Sequence, residues 1–186
     1  MDDAPALRSY IDNRLRYGCR LRLEQQIVNG NGTGQNLSGV ATDGTAVNFT
    51  GVTAIENYFD AARRLKTNVM TADYMPDFFW INPQDKEALD LIKRGTADAA
   101  YVGSPARLWG LPVIESNSVP VGTMICGSRD AMMLWMRQGV EVAMSESDGS
   151  NFTTNLITIR AEMRAAFSTF RADALQVGDL TTVGES

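Results

Sequence analysis

From Ala4 to Val28 the apolar positions recur at helical spacing. Leu7, Ile11 and Leu15 fall four apart, and Tyr10, Leu21 and Ile27 widen the stripe. Asp3 can cap this segment, and Pro5 is tolerated in a first turn. The spacing predicts one helix over 4–28, roughly 35 Å long at 1.5 Å per residue. It has to stop at Asn29-Gly30, because both residue types tolerate the left-handed conformation that ends helices. Residues 40–54 read as loop and short strand. A second helix is predicted over 55–65, with Ile55, Tyr58, Phe59 and Ala62 on one face. Phe78–Ile81 reads as a short apolar strand that Asn82-Pro83 breaks. Pro83 then opens a helix carrying Ala88, Leu89 and Ile92 and ending at Gly95. The strand-to-helix order suggests an α/β layer rather than a bundle.

From Tyr101 the pattern turns to β. Residues 108–116, LWGLPVIES, read as a strand interrupted by Gly110 and Pro112. Residues 119–128, VPVGTMICGS, read as another, with a turn at Pro120 to Gly122. VEVAMS at 140–145 alternates cleanly, and ESDGSN at 146–151 is a polar turn. Further on, Asn155, Ile157, Ile159, Ala161, Met163, Ala165 and Phe167 share one face of a predicted strand. Thr158, Arg160, Glu162, Arg164 and Ser168 share the other. RAEMRAAF alone would also make a good helix, but the period of two favours the strand. Residues 176–186 read as a short strand followed by a frayed end. The mixture is α+β.

Composition narrows the chemistry. The 186 residues suffice for one domain or two small lobes sharing a core, and 44% hydrophobic with 21% charged is a globular balance. A net charge of -5 argues against a surface built to neutralise nucleic-acid phosphates, although a local basic patch is compatible with it. No apolar run approaches the length of a membrane span, and the N-terminus lacks a signal-peptide pattern. Cys19 and Cys126 are the only cysteines, and a reduced setting is the simpler reading. The absence of His removes Ser-His-Asp and Cys-His nucleophile systems and most zinc sites.

The candidate sites are few. NGNGTGQNLSG, Asn29 to Gly39, has four Gly in eleven residues. A phosphate loop would open a helix and carry a following Lys. Here the glycines close a helix, and no Lys comes before Lys66. Asp73, Asp77 and Asp85 have no calcium-loop order. Met132, Met133 and Met136 with Trp135 read as core filler, a subunit contact or a partner groove. Arg14, Arg16, Arg20 and Arg22 give the first helix a basic side that could face DNA or, preferably, acidic groups of a neighbour. No convergent catalytic set emerges, so the reading is not an enzyme and needs no cofactor and no metal.

Seven stretches occur together in one order: DAPALRSYIDNRLRYG, EQQIVNGNGTGQNLSGV, INPQD, LWGLPVIES, VPVGT, GVEVAMSE and NFTTNLITIRAEMRAAF. In these the chain resembles the major capsid proteins of tailed phages, the Hong Kong 97 type. The resemblance implies an α+β fold with a long spine helix, an axial domain and a partial peripheral domain. The implied division is 1–28 spine helix, 29–139 axial domain, 140–174 long peripheral strands and 175–186 tail. NGNGTGQNLSG would then be the crossing between domains. The family's N-terminal arm and extended loop would precede Met1. Without them, weak or incomplete assembly is expected, whether the chain is an engineered fragment, a decayed prophage gene or a short reading frame of its own.

The function so implied is structural: a subunit, or truncated fragment, of an icosahedral shell whose copies form hexamers and pentamers enclosing DNA. Partners would be other copies of itself, with scaffold and portal proteins, and packaged double-stranded DNA only indirectly. No membrane is involved. The location would be the virion capsid, after the host cytoplasm. The alternatives are an encapsulin-type nanocompartment shell and a small acidic α+β binding or enzymatic domain. Some capsid members join subunits through a Lys, an Asn and a Glu, and Asn155 and Glu162 stand where the last two would. Seven residues apart on one strand, they would be separated by roughly 23 Å on opposite faces, so any such bond joins different subunits. The Lys would lie in the missing loop. The plainer reading is that Asn155 begins the strand and Glu162 pairs with Arg160 or Arg164.

Overall fold

The computed structural model describes residues 4–52, 55–93 and 106–183. The elements run α1 (Ala4–Asn29), α2 (Val40–Asp43), β1 (Thr45–Val47), α3 (Tyr58–Thr71), β2 (Phe78–Ile81), α4 (Pro83–Asp90), β3 (Arg107–Leu108), β4 (Leu111–Glu115), β5 (Thr123–Gly127), β6 (Met132–Ser145), α5 (Asn151–Thr154), β7 (Thr158–Thr169) and β8 (Leu175–Asp179). The chain divides into two compact units. The smaller comprises Met1–Gln25 and Leu134–Ala166, the larger Gln26–Met133 and Phe167–Ser186.

The larger unit is built on a six-stranded sheet of order β1-β8-β5-β2-β4-β3. β8 runs parallel to β1 and antiparallel to β5, while β2 runs antiparallel to β5 and parallel to β4. The central strands are apolar on both faces, which explains FFWI as an unbroken run. Phe79 and Ile81 join Met124 and Cys126 in one core cluster, and Phe78 joins Ile125 and Leu175 in the other. α3 covers the first face with Ala61, Ala62, Leu65 and Val69, all fully buried. Each Leu so buried stabilises by roughly 1.5–3 kcal/mol. Val28 and Val40 close the second face.

Local chemistry sets the boundaries. α3 starts after Ile55, because the Asn57 side chain accepts from the amides of Phe59 and Asp60 and caps the helix there. It runs past Leu65 to Thr71 because Val69 extends the buried row. α4 starts at Pro83 under an Asn82 cap and ends at Asp90, so it is shorter than the helix expected to run through Ile92 to Gly95: Leu91 caps it and Ile92 lies beyond its end. Gly95 itself and the expected β onset at Tyr101 lie outside the described residues. The interrupted strand at 108–116 is a hairpin. β3 and β4 turn through Trp109 and Gly110, both at positive φ (51° and 86°), the geometry a two-residue hairpin loop requires.

The expected short strand near the C-terminus is present as β8, but it is followed by a 3-10 turn over Leu180–Thr182 where fraying was expected. β8 sits inside the sheet between β1 and β5, and Leu175, Gln176 and Leu180 are buried. This strand is no loose tail, because it supplies pairing on both of its edges.

The smaller unit consists of most of α1 with the two-stranded sheet of β6 and β7. Arg16 joins them: its guanidinium donates to Asp12 at 2.8 Å and to the Val140 carbonyl at 3.0 Å. An open cleft of about 660 Å³ is lined by Leu7, Ile11, Met144, Ile157 and Ile159.

Candidate functional site

Every buried apolar residue among those described belongs to the larger unit; the smaller has none. A two-stranded sheet is marginal by itself, so the smaller unit is a set of surfaces rather than a core. Leu134, Trp135, Met136, Phe152, Leu156 and Ile157 are exposed there. Core filler is therefore the wrong reading for Met133, Trp135 and Met136. They lie on β6, where Trp135 is 46% exposed. Leu7, Tyr10 and Leu21, expected on the packed stripe of α1, are exposed too; the packed side carries Ile11, Leu15, Cys19 and Leu23.

Asn155 is not in the strand. It caps the single turn α5 in the left-handed conformation (φ 55°, ψ 45°), and β7 begins only at Thr158. An Asn ends a helical turn this way because its side chain tolerates αL. A strand distance between Asn155 and Glu162 thus has no meaning here. Glu162 is half-buried on β7 and pairs with Arg160 at 3.6 Å. No hydrogen bond or ion pair joins Asn155 to Glu162 among the described residues.

The glycine loop binds itself. Gly30, Gly32 and Gly39 donate their amides to Gln26, Leu37 and Gly30 carbonyls at 2.8–2.9 Å. Asn31 Oδ1 accepts from the Thr33 amide, the Thr33 hydroxyl and Asn36. These amides are spent inside the loop, unlike those of an anion cradle.

The three aspartates are dispersed in role. Asp73 sits at positive φ just past α3. Asp77 accepts from the Arg129 amide at 2.9 Å. Asp85 is buried and accepts from the Gly122 amide at 2.8 Å. Burial raises its pKa, against the pull of the Gly122 and Thr123 amides. No group of three His, Cys, Asp or Glu that could hold a metal gathers among the described residues.

Two contacts were not foreseen from sequence. Asn82 donates to the Val119 carbonyl at 2.7 Å, so INPQD and VPVGT lock together through Asn82 and Asp85. At the β3–β4 tip, Trp109 donates to the Phe59 carbonyl, its own carbonyl accepts from Lys66, and Arg63 lies 5.8 Å over its ring. The signal for the first was the polar pair flanking Pro83; the second had no local signal.

Residues 1–180 match the phage capsid family. The chain belongs to that family. Over 98% of its length it is 36% identical to the major capsid protein of Enterobacteria phage HK97, and it spans 49% of that relative's length. The phage capsid fold is also seen in structure. The capsid of an empty GTA particle superposes with a TM-score of 0.69 at 19% identity, covering 92% of this chain and 65% of the other. The encapsulin SrpI of Synechococcus elongatus gives 0.58 at 15% identity, covering 93% and 63%. At such identities the structures establish the Hong Kong 97-type fold alone. The family is one of structural capsid proteins, not of enzymes.

Proposed function

We propose that the chain is a structural subunit, or the part of one, of an icosahedral phage shell. Copies associate into hexamers and pentamers around packaged DNA. The subunit resides in the virion capsid after assembly in the host cytoplasm, with scaffold and portal proteins as further partners. The observation that carries this reading is the 36% identity to a major capsid protein over almost the whole chain. The coreless smaller unit supports it, since exposed apolar residues on a two-stranded sheet gain from burial against neighbouring copies.

In the same reading residues 1–28 and 140–174 form the peripheral domain and residues 29–139 the axial one. The compact units change over near residues 25 and 134, close to the first two of these bounds, and again at 166, inside the last peripheral strand. Asn155 and Glu162 take part in a cross-link only with groups of other subunits.

Light scattering behind size-exclusion chromatography, across a wide concentration range, tests the proposal. Masses of five or six copies, growing with concentration and lost on Trp135→Ser, are expected. A monomer at every concentration would contradict it.

A further inference from the structure

The exposed face of α1 has a regular order, and Leu7 at its edge also lines the cleft beside Ile11. Leu7, Tyr10, Arg14, Tyr17 and Leu21 alternate in steps of three and four, the spacing of a helix-packing seam. The four apolar members are 60%, 62%, 59% and 38% exposed. The row runs along about four turns, roughly 21 Å. At its centre Arg14 lies 6.0 Å over the Tyr17 ring, so its cation is held within the row.

We propose that this face docks an acidic amphipathic helix that is not a second copy of α1. The seam spacing selects a helical partner, since a packed helix meets alternate steps of three and four along its whole length. The central cation selects a carboxylate opposite it. Self-pairing fails on charge: in either orientation a copy paired in register sets Arg14 against Arg14. α1 as a whole carries five Arg against Asp12 and Glu24, with Arg16 committed to Asp12, so the excess positive charge favours an acidic partner. Duplex DNA fits less well, because a phosphate-tracking surface needs a line of cations and this row holds one among four apolar side chains. The inference does not depend on shell formation; it concerns a face of the single chain.

A synthetic helical peptide of 21 residues tests it. The peptide carries Leu at four positions in the same three-four spacing and Glu at the central fifth. Its control has Lys in place of that Glu. Fluorescence anisotropy with the full chain is expected to show saturable binding of the Glu peptide about tenfold tighter than the Lys peptide. Arg14→Glu is expected to reverse that order while leaving the circular dichroism spectrum unchanged. Equal affinity for the two peptides, or no saturable binding, overturns the proposal. So does a self-associated state lost on Tyr17→Ser, which would make the occupant a second copy. Binding of a labelled 20-base-pair duplex abolished by Arg14→Glu, with neither peptide competing, overturns it in favour of DNA.

Discussion

The Asp85 carboxylate accepts the Gly122 amide at 2.8 Å, tying the first turn of α4 to the turn that launches β5. Three residues earlier Asn82 caps the same helix with its oxygen and holds the Val119 carbonyl with its amide. One tetrapeptide, Asn-Pro-Gln-Asp, therefore starts a helix and fixes a remote turn.

Asp85→Ala leaves the buried amide of Gly122 without its acceptor, whereas the Thr123 amide keeps the Pro120 carbonyl at 3.2 Å. An orphaned buried amide costs about 1–3 kcal/mol, and the relief of a buried charge returns part of it. A net loss of about 2 kcal/mol is expected. Urea denaturation should show a lower midpoint at an unchanged slope.

The same carboxyl gives a pH signature. Burial holds its folded-state pKa above the ordinary 3.8, so the native chain binds the proton more tightly than the unfolded chain. By linkage, its contribution to stability falls as pH rises from 3.8 to the raised native value. Asp85→Asn does not titrate. The stability gap between the native chain and Asp85→Asn should thus be wider at pH 3 than at pH 7 (about four units apart). A gap that widens with pH would mean that the amides, not burial, dominate this site.

Two glycines of the 30–39 loop should respond very differently to Ala. A Cβ on Gly30 would lie 2.1 Å from the Leu37 carbonyl oxygen and 2.5 Å from that of Gln26. Backbone must move, and a loss of about 3 kcal/mol or more is expected. Gly34 has φ of 63° with open space around it, so Ala there should cost only about 1 kcal/mol. Thermal unfolding of the two variants checks the order.

The two thiols should separate cleanly. Cys126 is fully buried, and burial pushes its pKa up to about 12, partly offset by Lys66. At pH 8 its thiolate fraction is about one in ten thousand. Cys19 is half-buried on α1. Titration with a disulfide reagent at that pH should find one fast thiol in the native chain and a second only on denaturation.

Much of this was legible in the residues. The long helix, the Phe78–Ile81 strand, the Pro83 helix start and the 120–122 turn all follow from periodicity and local turn chemistry. The family was legible from motif order. What failed were readings that depend on distant partners. Leu7, Tyr10 and Leu21 look like core on a helical wheel, but only the packed neighbours decide which of two apolar faces is covered. Residues 175–183 look like a tail because a short strand carries no sign that both of its edges will be paired. Asn155 fits the alternation of the strand it precedes, yet a left-handed Asn interrupts that pattern without changing composition. The anchoring role of Asp85 required knowing that α4 faces the 119–123 turn.

The central claim is that copies of this chain pack as shell subunits. Electron microscopy of the purified chain at high concentration, with particles averaged by class, tests it most directly. The account predicts closed five- and six-membered rings or larger curved assemblies. Averages showing only single subunits or two-fold pairs would contradict it.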